Sequence, residues 1–156
     1  MKHKLFLLVM GVVFISTSSC PKAQTKGTGL GIILGEPTGL SFKHWLSGNS
    51  AIDGAIAWSF DNSGDMHIHV DYLIHRFDWM KSDDPLASRL EAYYGFGGRV
   101  KFETESRIGA RGVLGLVYLF KGEPLDAFLE VAPIFDLAPA TEFSINAGIG
   151  IRYYIK

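Results

Sequence analysis

The chain has 156 residues, a formal net charge of −1, 47% hydrophobic residues and 20% charged residues. That is enough for one domain with a real core, and it is too apolar for a disordered chain. Balanced charge gives no electrostatic reason to expect nucleic acid as a partner, and a single cysteine excludes an internal disulfide framework or a Cys-rich zinc site. The 18 glycines and 13% aromatic residues suit many short strands in a closed sheet better than a helix bundle.

Residues 1–20 read as an export signal. Lys2 and Lys4 form a basic start, residues 5–15 are uncharged and apolar, and Ser16, Thr17, Ser18 and Ser19 lead to the lone Cys20. The apolar run is too short for a bilayer core, which needs about 20 residues. A cysteine directly after such a run is the pattern of a lipoprotein signal, cut before Cys20 with the thiol then lipidated. The alternative is an ordinary signal cleaved near Ser18 or Ala23. Residues 21–27 then form a short tether and residues 28–156 the folded domain. No other segment approaches the length of a spanning helix, so any passage through a membrane must use strands.

In chain order the domain divides into runs at 29–35, 40–46, 52–60, 66–77, 90–102, 107–120, 125–137 and 142–156. Turn clusters separate them, among them Glu36-Pro37-Thr38, Ser47-Gly48-Asn49-Ser50 and Lys121-Gly122-Glu123-Pro124. The longest connection is 78–89. An even number of strands joined by short turns predicts an all-β fold, an eight-stranded antiparallel up-and-down β-barrel.

Side chains alternate faces along a strand, so parity carries the next inference. In the last run Phe143, Ile145, Ala147, Ile149, Ile151, Tyr153 and Ile155 share one face. Through all eight runs that apolar parity is expected to hold no acidic or basic side chain except His44. The other parity carries Lys43, Asp53, Asp71, Glu91, Arg99, Lys101, Arg107, Arg111, Asp126, Glu130, Asp136, Glu142 and Arg152. Two architectures are mirror readings of this pattern. A membrane barrel turns the apolar parity to lipid and keeps the charges in its lumen. A soluble, lipocalin-like periplasmic barrel does the reverse and binds an apolar ligand.

Three features favour the membrane form. The apolar side chains are too many for an eight-stranded interior. The charged parity is also the glycine-rich one, at positions such as Gly31, Gly97, Gly115 and Gly150. Aromatic residues, including Phe42, Trp58, Phe60, Phe102, Phe120, Phe135, Phe143 and Tyr153, fall near strand ends on the apolar parity, where membrane girdles lie.

Four segments carry a resemblance. They are Gly35-Glu36-Pro37-Thr38-Gly39-Leu40-Ser41, Ala51-Ile52-Asp53-Gly54-Ala55, Glu130-Val131-Ala132-Pro133 and Gly148-Ile149-Gly150-Ile151-Arg152-Tyr153-Tyr154. Across residues 28–156 the chain resembles a family of small bacterial outer-membrane β-barrel proteins of uncharacterised function, similar in architecture to OmpA-like and OmpX-like transmembrane domains. The resemblance implies an outer-membrane location, membrane lipid and the outer-membrane assembly machinery as partners, and no catalytic or binding residues to carry over.

Chemistry-bearing constellations are few. His67, His69, Asp71 and His75 share the charged parity of one run, and neighbouring same-face residues lie about 6.8 Å apart. His67 and His69 could grip a metal with help from Asp71; the plainer reading places them in an interior hydrogen-bond network. The near-balanced charges read as a paired network that plugs a narrow barrel, with a polar conduit as the sharper alternative. A lipid-A-modifying enzyme would need a nucleophile beside His44 on the apolar face. No serine of that face shares its strand, and only turn residues such as Ser47, Ser50 or Ser63 could approach. The expectation is therefore a structural or anchoring outer-membrane component with no catalysis and no cofactor. With an even strand count, the turns at Pro37, Ser63, Thr104 and Pro139 would face outward and 78–89 would face the periplasm.

Overall fold

The structure, a computed structural model, describes residues 25–58, 65–76 and 83–155. Residues 1–24, which include Cys20 and the expected signal and most of the tether, lie outside the described residues. So do Phe60, Ser63 and residues 78–82 of the 78–89 connection.

Eight strands are present: β1 (Thr28–Glu36), β2 (Thr38–Trp45), β3 (Ser50–Trp58), β4 (Met66–Arg76), β5 (Leu90–Phe102), β6 (Arg107–Leu119), β7 (Leu125–Ala138) and β8 (Glu142–Ile155). Each pairs antiparallel with its chain neighbours, and β8 pairs back onto β1 to close the barrel. Among the described residues the sole helical element is a 3₁₀ turn at Ala87–Arg89, and no helix is long and apolar enough to cross a membrane. The fold is the expected eight-stranded antiparallel barrel.

The strands end where turn chemistry begins. β7 and β8 extend over 14 residues each, whereas β2 stops after eight at the Ser47-Gly48-Asn49-Ser50 turn. That turn is tied by Ser47 Oγ to Asn49 Oδ1 at 3.1 Å and by a hydroxyl pair between Ser47 and Ser50 at 2.7 Å. Gly122 adopts φ 86° in the turn between β6 and β7, a conformation that costs glycine nothing and other residues more.

Register sets the shape. The hydrogen-bonded row that leaves β1 at Glu36 passes Ala147, Val131, Leu114, Tyr94 and Ile74 and reaches Ser50. Ser50 O then accepts from Leu46 N, while the neighbouring Trp45 N donates to Gly27 O. Each circuit therefore climbs by about ten residues, which goes with the usual strand tilt of about 35–45° in a closed barrel. A tilted eight-stranded barrel has an interior just wide enough for side chains to fill.

The interior is layered. An apolar cluster of Ile33, Ala55, Leu73, Tyr93, Val113, Val117, Phe128 and Ala132 is buried within it, and Trp45, Ala51 and Tyr154 form a second cluster. Glycines make room for the rings. Gly29 pairs directly with Tyr154, Gly115 with Tyr93 and Gly150 with Phe128. At each of these glycines a Cβ would collide with the facing ring, so the aromatic side chain lies over the glycine backbone of the next strand.

Candidate functional site

The charged parity faces the lumen. Lys43, Asp53, Asp71, Glu91, Arg99, Arg111, Asp126, Glu130, Asp136 and Arg152 are all buried, four cations against six carboxylates. Buried charge is tolerated only when paired and hydrogen-bonded, so the partners decide what the interior can do. The carboxylates outnumber the cations, and two that share an arginine also accept from tyrosines. Tyr93 OH donates to Glu130 at 3.2 Å, and Tyr154 OH donates to Asp126 at 2.6 Å.

Asp53 and Asp71 stand directly opposite each other across β3 and β4, an unfavourable like-charge pair. Each has its own arginine from the far wall. Arg152 of β8 places Nη1 3.4 Å from Asp53 Oδ2 and Nε 3.6 Å from Asp126 Oδ1. Its guanidinium also stacks on Phe128 at 3.8 Å. Arg111 of β6 donates through Nε to Asp71 at 2.7 Å and through Nη2 to Glu130 at 2.5 Å. The two arginines thus tie β6 and β8 to β3, β4 and β7 across the centre of the barrel.

Toward the end where β2 stops, Lys43 Nζ lies 2.9 Å from His75 Nε2 and 4.3 Å from the centre of the Trp45 ring. With Lys43 as donor, His75 carries its proton on Nδ1, which lies 3.9 Å from Glu91. At the opposite end Arg99 holds Asp136 through two parallel bonds of 3.0 and 2.6 Å and also reaches Ser144 at 3.3 Å.

Three residues expected in the interior stand instead at this mouth. Lys101, Arg107 and Glu142 share the inward parity, but their side chains are 24%, 34% and 58% exposed. They pair with partners at the strand ends: Lys101 with Asp65 and Glu103, and Arg107 with Glu103 and Glu142. Strand tilt carries the ends of β5, β6 and β8 clear of the packed interior, so parity alone overstates burial there.

His67 and His69 are buried, with ring centres 5.4 Å apart, and His69 Nε2 lies 3.9 Å from Asp71. Asp71 is taken by Arg111. Among the described residues no group of three His, Cys, Asp or Glu side chains is arranged to hold a metal ion. His75 joins Lys43 rather than the other two histidines.

The outer wall is apolar. Leu30, Ile32, Leu34, Val70, Phe96, Leu114, Leu129, Ile145 and Ile149 stand exposed around the barrel, and Trp58, Phe102, Phe135 and Phe143 mark one end of it. Two polar features on this wall differ from expectation. His44 has a hydroxyl partner from the neighbouring strand, Thr28 Oγ1 at 2.8 Å, because Thr28 and His44 are in direct register. No ion pair joins that dyad to a carboxylate among the described residues. Arg76 lies on the outward parity of β4, two residues past Ile74, so the apolar face is not free of formal charge. Its place at the strand end lets a long side chain reach the interface, where an arginine costs little.

An apolar exterior around a lumen of paired charges is the inverse of a soluble calyx and is the arrangement of a transmembrane β-barrel. Compared with solved structures, the chain is similar to the N-terminal β-barrel domain of Pseudomonas aeruginosa OprF. The TM-score is 0.61 at 14% identity, over 82% of this chain and 95% of that one. No protein-family model and no curated protein matches the chain.

Several residues that organise the interior carried no sequence signal of their own. Trp45, Tyr93, Phe128 and Tyr154 sit on the charged parity, and each was visible only as an isolated aromatic. Their common feature is a ring laid over a glycine or beside a buried cation, which needs the register to see.

Proposed function

We propose that the protein is an outer-membrane β-barrel with a structural or anchoring role, its lumen sealed by paired side chains. The observation that carries this reading is the combination of an exposed apolar wall with buried cross-lumen ion pairs, above all Arg111 with Asp71 and Glu130. In water such a wall would expose large apolar area on every side, and in lipid it is satisfied. The fold shared with the OprF barrel domain supports the same location. Membrane lipid and the outer-membrane assembly machinery are the partners this reading requires.

The reading assigns the protein no catalysis. The Thr28–His44 pair has the nucleophile-and-base geometry of a hydrolase, but among the described residues no third group is placed to orient the histidine. The test is carbonate extraction of cell envelopes followed by gels of boiled and unboiled samples. The protein is expected to stay with the membrane and to migrate differently before boiling. Release by carbonate, with identical migration before and after boiling, would refute the reading.

A further inference from the structure

The outer wall is not uniform over β5, β6 and β7. Ala92 is the small member of a row that runs from Arg76 through Ala92 and Leu116 to Leu129. Although it lies on the outward parity, it is only 7% exposed, sunk between larger neighbours. Around it Tyr94, Leu114, Leu116, Leu129 and Val131 bound a groove of ≈ 840 Å³. That volume is within the roughly 300–1,000 Å³ of clefts that hold small ligands.

Arg76 closes one end of this groove. Among the described strand residues it is the one lysine or arginine on the outward parity, and it has no ion pair among the described residues. One rung nearer the same end, Arg89 Nη1 donates to Tyr118 OH at 3.2 Å, and Tyr118 stacks edge-on against Phe120 at 5.0 Å. Arginine, tyrosine and phenylalanine at one level mark a membrane interface, and the groove leads from that level into the apolar zone.

We propose that this groove holds one anionic phospholipid, its phosphate on Arg76 and one acyl chain laid over Ala92. The proposal rests on the membrane reading above. A guanidinium presents donors in a fork that matches phosphate oxygens, and a net negative headgroup leaves its charge available to Arg76. A zwitterionic headgroup carries its own compensating cation and gains less. The chain contributes the second half of the recognition, since a groove with an almost wholly apolar lining takes a hydrocarbon and little else.

The test uses the full chain refolded into phosphatidylcholine vesicles containing a minor fraction of phosphatidylglycerol. Spin-labelled forms of each lipid report the motionally restricted fraction. Wild type is expected to restrict phosphatidylglycerol in preference to phosphatidylcholine by about two- to fivefold, the range of an exposed ion pair, with the preference falling at high salt. Arg76→Gln should abolish the preference while leaving the heat-modifiable band unchanged. Ala92→Leu, which fills the groove and keeps the arginine, should reduce the restricted fraction of both lipids. Equal restriction of the two lipids by wild type, or a preference that survives Arg76→Gln, would overturn the inference and leave the membrane barrel standing. Failure of wild type to insert into vesicles would overturn both.

Discussion

Replacing Arg111 by methionine would leave Asp71 and Glu130 facing each other in the lumen with no cation between them. Both are buried, and Asp53 stands directly opposite Asp71 in register, so three carboxylates would share one low-dielectric space. A charge pair at about 4 Å is worth about 4 kcal/mol at an effective dielectric constant of about 20. Arg111 makes two such contacts, at 2.7 and 2.5 Å, and desolvation of the guanidinium offsets a large part of the gain. Breaking a buried pair by removing one partner generally costs about 3–5 kcal/mol, and the structure places Arg111→Met in that range. The compensated variant Arg111→Met/Asp71→Asn/Glu130→Gln removes the charges together and should recover most of the loss. Urea titration of the barrel in lipid vesicles, followed by tryptophan fluorescence and by unboiled gels, measures both. A cost below about 1 kcal/mol for the single variant, the value of a solvated pair, would show that water reaches the centre of the lumen and refute the reasoning. A triple variant no more stable than the single would do the same.

Leu114→Arg, on the exposed wall of β6, should destabilise the barrel in bilayers by about 2–4 kcal/mol, and unchanged urea midpoints in vesicles would contradict a lipid-facing assignment. If the paired arginines and carboxylates seal the lumen as proposed, planar-bilayer recordings of refolded protein should give no reproducible single-channel steps. Steps whose ion selectivity changes in Arg111 or Glu130 variants would replace the sealed lumen with a conduit. If Cys20 is lipidated, as the sequence pattern suggests, Cys20→Ser should abolish incorporation of labelled palmitate, and equal labelling of variant and wild type would remove the lipoprotein reading.

The alternation of side chains was legible from local sequence because it depends only on strand geometry. Runs such as 107–120 and 142–156 show their two faces without reference to any other strand, and turn residues at Pro37, Gly48 and Gly122 mark where they stop. Eight such runs with short connections already imply closure, since an open sheet of that kind would leave two unpaired edges. The inward parity could be argued as well, from the charge-free side chains of β8 and the glycines opposite them.

Partner identity could not be read in this way. Which carboxylate meets Arg111 depends on how far the register climbs around the barrel, a property of all eight pairings together. The climb brings residues as far apart in sequence as Asp53 and Arg152 within 3.4 Å. It also puts Lys101, Arg107 and Glu142 at a mouth rather than in the lumen. Parity is set residue by residue, by the pleat. Cross-lumen contacts are set by closure, when the last strand finds the first, and for that reason the tertiary structure alone decided them.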